Sequence, residues 1–412
     1  MNFAHRREQL FAQMADHSAL ILYSGTAPHR NSDAYYDLEV DHHFFYLTGL
    51  RREDMILLMT KTGSQNQTTL YIPKIDPTAE RWTGKMVTQQ EAREITGIQD
   101  VRELDRFEDV LNYTLHYANI TTCYFNCYRN DPKDLPDYNL AKAQAFAAAH
   151  PGIAVRDLWP MVSLMRMQKD ADEVECTRRA IDITDKSLQY MLRHLQPGQK
   201  EYQAQANYEY MLHYLGAEGP SFPTIAGSGK NGTMLHYETN RDTCADGSLL
   251  LLDLGVRLDG YCSDITRTYP VNGKYSPRQR QVYDIVLRAN REVAAQAKPG
   301  LTTRQLNDIC RKVLAEGCIE LGLIEKEEEI DRYYMHGVSH HLGIDVHDVN
   351  LAGLPLKPGA IISDEPGLYI DEWEIGIRIE DDLLITESGC EVLSQQIMRE
   401  ADEIEAFMAE TK

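Results

Sequence analysis

The sequence predicts a mixed α/β (α+β) protein built from two domains, and two observations carry that prediction. The chain has 412 residues, which is longer than most domains that fold around a single hydrophobic core. Short β-rich runs alternate with helical runs over residues 1–155, whereas long amphipathic helices and acid-bearing strands occupy the rest. We therefore expect an N-terminal α/β domain over 1–155, a linker over 156–170 and a larger domain over 171–412.

The first domain should contain several strands and helices. Runs rich in aliphatic and aromatic residues between polar turns predict strands at residues 19–23, 55–59 and 69–72. Longer runs with helical spacing predict helices at 103–118 and 140–150. No Gly-rich phosphate-binding loop occurs in this region of the sequence, so it suggests no chemistry of its own.

Long helices open the second domain. Apolar residues recur every seven positions from Val174 to Leu195, which is the spacing of one helix face. A Pro-Gly pair at 197–198 should end that helix. Further helices are predicted at 200–215 and 277–297, and the segments between them contain turns and short strands.

The overall charge excludes some classes of partner. The formal net charge is −21, so the surface should repel nucleic acid and anionic membranes. No apolar run is long enough to span a bilayer, and the first residues lack the apolar stretch of a secretory signal. The eight cysteines are scattered, which is typical of reduced thiols. We expect a cytoplasmic protein.

One acidic residue lies where a charge is costly. Asp253 follows four leucines in a run that predicts a buried strand, and burying a carboxylate there needs compensation. Asp259–Gly260 predicts a two-residue hairpin, which places Asp253 and Asp264 on one face as diagonal neighbours roughly 7–8 Å apart. Gly255 then lies opposite Asp264 and should leave space for a cation.

A second acidic pair follows the same logic. A connection centred on residues 372–373 would place Glu365 directly opposite Glu380. Residues 366–367, Pro-Gly, should distort the ladder and produce a bulge. Arg378 shares a face with Glu380, where it could orient the carboxylates or bind a substrate carboxylate in a bidentate manner.

Two such pairs, with His340 between them in sequence, predict a metal site. Four carboxylates and one imidazole form a hard, oxygen-dominated set of donors, which favours manganese, cobalt or zinc. Their four negative charges would balance two dications. The alternative is a pair of surface hairpins with solvated acids. The metal interpretation makes the chain a candidate hydrolase.

Five short motifs surround these acidic residues and the histidine. The motifs are Leu252-Asp253-Leu254-Gly255, Ser263-Asp264-Ile265-Thr266-Arg267-Thr268, His336-Gly337-Val338-Ser339-His340, Glu365-Pro366-Gly367 and Ile377-Arg378-Ile379-Glu380-Asp381. In these motifs and their order, the sequence resembles the Xaa-Pro aminopeptidase (aminopeptidase P) and Xaa-Pro dipeptidase (prolidase) branch of the pita-bread metallopeptidases. The resemblance covers the whole chain, and it implies a creatinase/prolidase-type (aminopeptidase P-type) α/β domain followed by a pita-bread catalytic domain.

The resemblance implies roles for individual residues. Asp253, Asp264, His340, Glu365 and Glu380 would bind two divalent ions, Mn²⁺ first, with Co²⁺ or Zn²⁺ as alternatives. Asp264 and Glu380 would bridge the ions, and a hydroxide between them would attack the amide that precedes proline. Glu365 would also relay the proton to the leaving nitrogen.

The remaining implied roles concern substrate. His236 and His347 would act in catalysis. The residues expected to contact substrate are His236, His336, His347, Tyr369 and Arg378. One departure from the family pattern is Asp364, an extra carboxylate directly before Glu365 that strand alternation should turn away from the metals.

The resemblance leaves several functions open. The leading expectation is an aminopeptidase that releases the first residue from peptides with proline in second position. A dipeptidase restricted to Xaa-Pro dipeptides, a non-catalytic binding module and a metal-free creatinase-like hydrolase remain alternatives. A homodimer or larger homo-oligomer is also implied, in which Trp82 of the N-terminal domain would reach the site of a neighbouring subunit.

Overall fold

The computed structural model describes residues 1–410. The chain divides into two compact units, Met1–Arg166 and Met167–Lys412. Within the expected linker at 156–170, a strand continues to Asp157 and helix Trp159–Arg166 follows in the first unit. Leu158 and Val162 in this segment have no exposed surface, so the segment packs in the protein interior.

The first unit is built on one mixed six-stranded sheet, in the order β4-β3-β2-β1-β5-β6. Its strands are β1 Ser18–Tyr23, β2 Ile56–Thr62, β3 Gln65–Ile72, β4 Asp100–Glu103, β5 Thr122–Phe125 and β6 Ala154–Asp157. Its helices are α1 Phe3–Gln13, α2 His42–Thr48, α3 Pro77–Thr83, α4 Gln89–Thr96, α5 Phe107–Tyr117, α6 Tyr138–Ala149 and α7 Trp159–Arg166. A 3₁₀ turn covers Leu104–Arg106. All three predicted strands and both predicted helices are present, with boundaries shifted by a few residues.

The second unit combines long helices with several short antiparallel sheets. The helices are α8 Ala171–His194, α9 Glu201–Tyr214, α10 Pro277–Gln296, α11 Thr303–Glu320 and α12 Ala401–Glu410. The strands are β7 Gly219–Pro220, β8 Ile225–Ser228, β9 Leu249–Leu254, β10 Val256–Leu258, β11 Tyr261–Cys262, β12 Ile265–Pro270, β13 Ile361–Asp364, β14 Gly367–Ile370, β15 Ile375–Arg378, β16 Asp381–Ile385 and β17 Cys390–Val392. Turns of 3₁₀ helix cover Gly229–Thr233, Glu327–Arg332 and Asp371–Trp373. No helix within residues 1–410 is long and apolar enough to cross a membrane.

The first acidic hairpin has the predicted register. Leu258 pairs with Tyr261, and Asp253 pairs with Thr266 on the neighbouring strands β9 and β12. Asp259 and Gly260 form the turn with φ angles of 51° and 81°, as a two-residue turn of this type requires.

The predicted role of Gly255 in this hairpin is wrong. A Cβ atom there would lie 2.0 Å from the Ser263 carbonyl oxygen and 2.1 Å from Ser221 Oγ. The Ser221 hydroxyl donates to that same carbonyl at 2.9 Å. The missing side chain therefore allows two polar groups to approach the backbone closely, and it does not open space for a cation.

The second acidic hairpin also has the predicted register, but the predicted bulge is wrong. Gly367 pairs with Arg378 and Asp364 pairs with Asp381, so equal numbers of residues lie on both strands between these pairs. The regular ladder is interrupted instead, at Glu365 and Glu380. The interruption lets the Glu365 N–H donate to the Val338 carbonyl and the Glu380 N–H to the Thr266 carbonyl, both at 2.9 Å.

Candidate active site

The two hairpins and the histidine loop converge on one cavity in the second unit. It has a volume of about 640 Å³. All five predicted metal ligands line its wall, namely Asp253, Asp264, His340, Glu365 and Glu380. Four residues expected to contact substrate line it as well, namely His236, His336, His347 and Arg378. Residues far apart in sequence thus share one wall.

Asp264, His340 and Glu380 form the tightest group of donors. One ligand atom from each lies within 4.8 Å of the others, which suits coordination of a common ion. The His340 Nε2 atom lies 3.2 Å from Asp264 Oδ2 and 3.6 Å from Glu365 Oε1. The other ring nitrogen, Nδ1, lies 3.0 Å from the His341 carbonyl oxygen, to which it donates. That hydrogen bond directs Nε2 towards the carboxylates, an arrangement typical of metal-binding histidines.

Asp253 completes the set from the neighbouring strand. Its Oδ2 atom accepts a hydrogen bond from Arg378 Nη2 at 2.6 Å. Its Oδ1 atom is buried and has no hydrogen-bond partner within residues 1–410. An unpaired buried carboxylate oxygen beside other hard donors fits a cation ligand, because burial without a partner is costly. The residues present therefore fit divalent metal ions.

The shifted pKa values of the cluster also fit the binding of divalent metal ions. Burial, followed by the charge of Asp264, raises the pKa of Glu380 well above its usual range. Burial also raises the pKa of Asp264 and that of Glu365, the latter to about 7. Burial lowers the pKa of His340, but the hydrogen bond and charge of Asp264 outweigh it and raise that pKa to about 9. Protons thus partly neutralise this cluster, and dications would replace them.

Arg378 is held by groups within the protein. Its Nε donates to Thr266 Oγ1 at 3.2 Å, its Nη1 to the Tyr369 hydroxyl at 2.8 Å and its Nη2 to Asp253. These contacts favour the orienting role over capture of a substrate carboxylate. Removing the guanidinium would release Asp253 and Tyr369 together.

Tyr369 differs from its expected place in the substrate pocket. Its side chain is 3% exposed, and its hydroxyl lies 2.7 Å from His336 Nε2 and accepts from Arg378. The ring therefore lies behind the cavity wall and supports His336. Burial lowers the pKa of His336 to about 4, with Arg378 adding to the effect, so this imidazole is neutral at physiological pH.

The remaining histidines occupy distinct positions. His236 and His347 are exposed to the cavity, and the His347 ring centroid lies 4.4 Å from that of His340. Burial and the nearby charge of His340 lower the pKa of His347. His341 is buried. His236 and His347 are therefore accessible from the cavity, whereas His341 is not.

Sequence reasoning did not identify three residues that hydrogen-bond to the proposed metal ligands. Thr266 Oγ1 donates to Glu380 Oε2 at 2.6 Å. Ser363 Oγ accepts from the His340 N–H at 3.0 Å and donates to Glu365 Oε1 at 3.3 Å. Asp382 Oδ2 accepts from the Asp264 N–H at 3.2 Å. Hairpin pairing could have revealed Thr266, which lies opposite Asp253.

The extra carboxylate at Asp364 is turned away from the cavity, as strand alternation predicts. It is fully buried, and Asn290 Nδ2 lies 3.4 Å from its Oδ2. Burial, then the charge of Asp381, raises its pKa well above the usual range. Asp381 itself pairs with Arg267 at 2.7 Å. These acids belong to a separate network behind the site.

Comparison with known proteins agrees with the fold and the site. Residues 175–387 match the model of metallopeptidase family M24, and residues 3–124 match the aminopeptidase P N-terminal domain. The Xaa-Pro aminopeptidase of Escherichia coli is 33% identical, with 98% of this chain and 97% of the relative covered. The Xaa-Pro aminopeptidase of Haemophilus influenzae is 32% identical, with 98% and 96% covered.

Solved structures show the same relationship. A Bacillus anthracis protein assigned as an aminopeptidase P is 41% identical and superposes with a TM-score of 0.98, covering 100% of this chain and 98% of that one. Aminopeptidase P from E. coli with the inhibitor Pro-Leu is 31% identical, with a TM-score of 0.90 and the same coverage.

The two-unit fold and its buried carboxylate–imidazole cluster define a metal-dependent hydrolase. The chain belongs to metallopeptidase family M24, and within it to the aminopeptidase P and prolidase branch. The predicted fold class is thereby confirmed: an aminopeptidase P-type α/β domain precedes a pita-bread catalytic domain.

Proposed function

We propose that the chain is a metal-dependent Xaa-Pro aminopeptidase, which releases the N-terminal residue from peptides with proline in second position. The observation that carries the proposal is the approach of Asp264, His340 and Glu380 to within 4.8 Å on a cavity wall shared with Asp253 and Glu365. The names of its relatives supply the substrate class.

Asp253, Asp264, His340, Glu365 and Glu380 would hold two divalent ions, and we propose Mn²⁺, with Co²⁺ or Zn²⁺ as alternatives. When bound, the ions supply Lewis-acid activation of the attacking water and of the peptide carbonyl. Asp264 and Glu380 are proposed to contact both ions. The orphaned Asp253 oxygen and the hard donor set support this assignment.

Side chains on the cavity wall would transfer protons and bind the substrate. Glu365 lies on the cavity wall beside His340, where its carboxylate can accept a proton from water and return it to the leaving proline nitrogen. His236 and His347 face the cavity, where either can donate a hydrogen bond to the peptide carbonyl oxygen. Neutral His336 lies 3.7 Å from Glu365 Oε2 and is proposed to contact substrate.

We further propose a cytoplasmic location and a homodimer or larger homo-oligomer. Eight free cysteines support a reducing compartment. Trp82 is 86% exposed on the first unit, and a large exposed aromatic residue is suited to an interface with a second copy. Light scattering of the purified protein would measure its mass in solution, and Trp82→Ala would lower that mass if Trp82 lies in the interface.

A peptide-length assay tests the proposed function. The protein loaded with Mn²⁺ should release the first residue from a Xaa-Pro-Xaa tripeptide, and a matched Xaa-Ala-Xaa tripeptide should remain intact. Cleavage of a Xaa-Pro dipeptide alone would identify a dipeptidase. Activity that survives chelation would favour creatinase-like chemistry, and absence of both metal and activity would favour a binding module.

A further inference from the structure

One carboxylate on the cavity wall has no role in the proposed mechanism. Glu238 lines the same cavity as the five metal ligands, next to an apolar wall. That wall is formed by Phe222, Pro223 and Leu235. The side chain of Glu238 is exposed, so it contacts the solvent that fills the cavity.

The segment around Glu238 is held from behind by Glu201. The Tyr237 hydroxyl donates to Glu201 Oε2 at 2.9 Å, which turns the tyrosine away from the cavity. Glu201 is fully buried and also accepts the Asp242 N–H at 2.8 Å and, through Oε1, the Ser228 N–H at 2.7 Å. One buried carboxylate thus fixes the chain on both sides of Glu238.

Asn240 provides a second anchor two residues beyond Glu238. Its backbone has a φ of 50°, and its side chain donates to the Thr224 carbonyl at 2.7 Å and accepts the Ala226 N–H at 3.0 Å. With Tyr237 and Asn240 both turned inward, His236 and Glu238 face the cavity. Glu238 is therefore presented by a fixed segment rather than by a free loop.

Glu238 also differs from the other acids of the cavity in its partners. Asp253 is paired with Arg378, Asp264 with His340, and Glu380 with Thr266. Within residues 1–410, no ion pair or hydrogen bond involves the Glu238 carboxylate. A carboxylate that faces the cavity without a protein partner is available to a cation on the substrate.

We infer that Glu238 selects peptides whose first residue carries a positive side chain, lysine or arginine. This inference rests on the proposed function, because cleavage before proline leaves a single residue on the amino side, whose side chain must lie inside the cavity. The aliphatic stem of lysine or arginine can pack on Phe222 and Leu235 while its charge reaches Glu238.

Three peptides test the inference on the Mn²⁺-loaded protein: Arg-Pro-Leu, Leu-Pro-Leu and Leu-Pro-Arg. The wild type should have a kcat/KM about fivefold higher for Arg-Pro-Leu than for Leu-Pro-Leu, as expected for one partly exposed ion pair. Glu238→Gln should bring this ratio close to one, and Glu238→Lys should invert it. Glu316→Gln is the matched control, because it removes the same charge from an exposed position on α11 and should preserve the wild-type ratio.

An unchanged ratio in Glu238→Gln would overturn the inference, and so would a selective effect on Leu-Pro-Arg, which would place Glu238 on the leaving side. Failure of the wild type to cleave any of the three peptides would refute the proposed function instead. Calorimetric binding of the intact peptides would then decide the role of Glu238. Tighter binding of Arg-Pro-Leu that is lost in Glu238→Gln would support it, and equal affinities would refute it.

Discussion

The Lys169 ammonium and the Asp348 carboxylate form an ion pair at 2.9 Å, and each side chain is 1% exposed. Gly343 packs against both partners. A Cβ atom there would lie 2.4 Å from Asp348 Oδ2 and 2.8 Å from Lys169 Cε. The glycine therefore allows the loop backbone to lie directly on the buried pair.

This pair fixes the loop that carries two histidines of the site. The Asp348 N–H donates to the His341 carbonyl at 2.8 Å, and the same carbonyl oxygen accepts from His340 Nδ1. His347 directly precedes Asp348 in sequence. A shift of the buried carboxylate would therefore change the orientation of the His340 ring and move His347.

Removing the cation of this pair should destabilise the protein and weaken the site. Lys169→Met removes the cation of a buried ion pair, and removal of one partner of such a pair should lower the free energy of unfolding by about 3–5 kcal/mol. Urea unfolding measures this decrease in stability. The amount of manganese bound per protein molecule should also fall.

Lys230→Met is the control for this variant. Lys230 pairs with Asp371 at 3.5 Å on the surface, where the two side chains are 62% and 63% exposed. Loss of this surface pair should lower the free energy of unfolding by less than about 1 kcal/mol. Equal stability of the two variants would show that the buried pair does not fix the loop.

Removal of a ligand that contacts both proposed ions should eliminate metal binding. Asp264→Ala and Glu380→Ala each delete a carboxylate from the group that lies within 4.8 Å, so metal analysis should find at most a trace of bound manganese and turnover should be lost. His347→Ala is the matched comparison. It should retain both ions while turnover falls by about 10²-fold or more, since it removes a proposed hydrogen-bond donor to the substrate.

Two outcomes would contradict these assignments. Normal metal content in Asp264→Ala would mean that Asp264 is not a shared ligand. Loss of metal in His347→Ala would place that histidine among the ligands rather than beside the substrate.

Local chemistry explains which parts of the fold could be predicted from the sequence. The register of the Asp253–Asp264 hairpin follows from the turn at Asp259–Gly260, and the alternation of side chains then places both acids on one face. These relationships involve residues close in sequence. The role of Gly255 was predicted wrongly because the strand register does not show how closely the Ser263 carbonyl and Ser221, which follows strand β7, approach its backbone.

The features that could not be predicted depend on contacts between residues that are far apart in the sequence. Asp382 supports Asp264 from 118 residues away, and Lys169 pairs with Asp348 across 179 residues. Neither pairing leaves a periodic signal in the sequence. The inward turn of Tyr369 likewise depends on His336 and Arg378 together.

Metal binding should release protons, and the amount released should depend on pH. In the metal-free protein the pKa of Glu365 is raised to about 7 and that of His340 to about 9. Below these values each group carries a proton that a metal ion must displace, so affinity for Mn²⁺ should rise with pH through this range. About two protons should be released at pH 6 from these groups, and about one at pH 8, where Glu365 is already ionised.

Calorimetry in buffers of different ionisation enthalpy measures this release. Glu365→Gln isolates the contribution of the carboxylate, because it removes the titrating group while keeping a side chain of similar size. The variant should release about one proton fewer than the wild type at pH 6 and the same number at pH 8. Equal proton release by the two proteins at pH 6 would mean that Glu365 is already ionised at that pH before the metal binds.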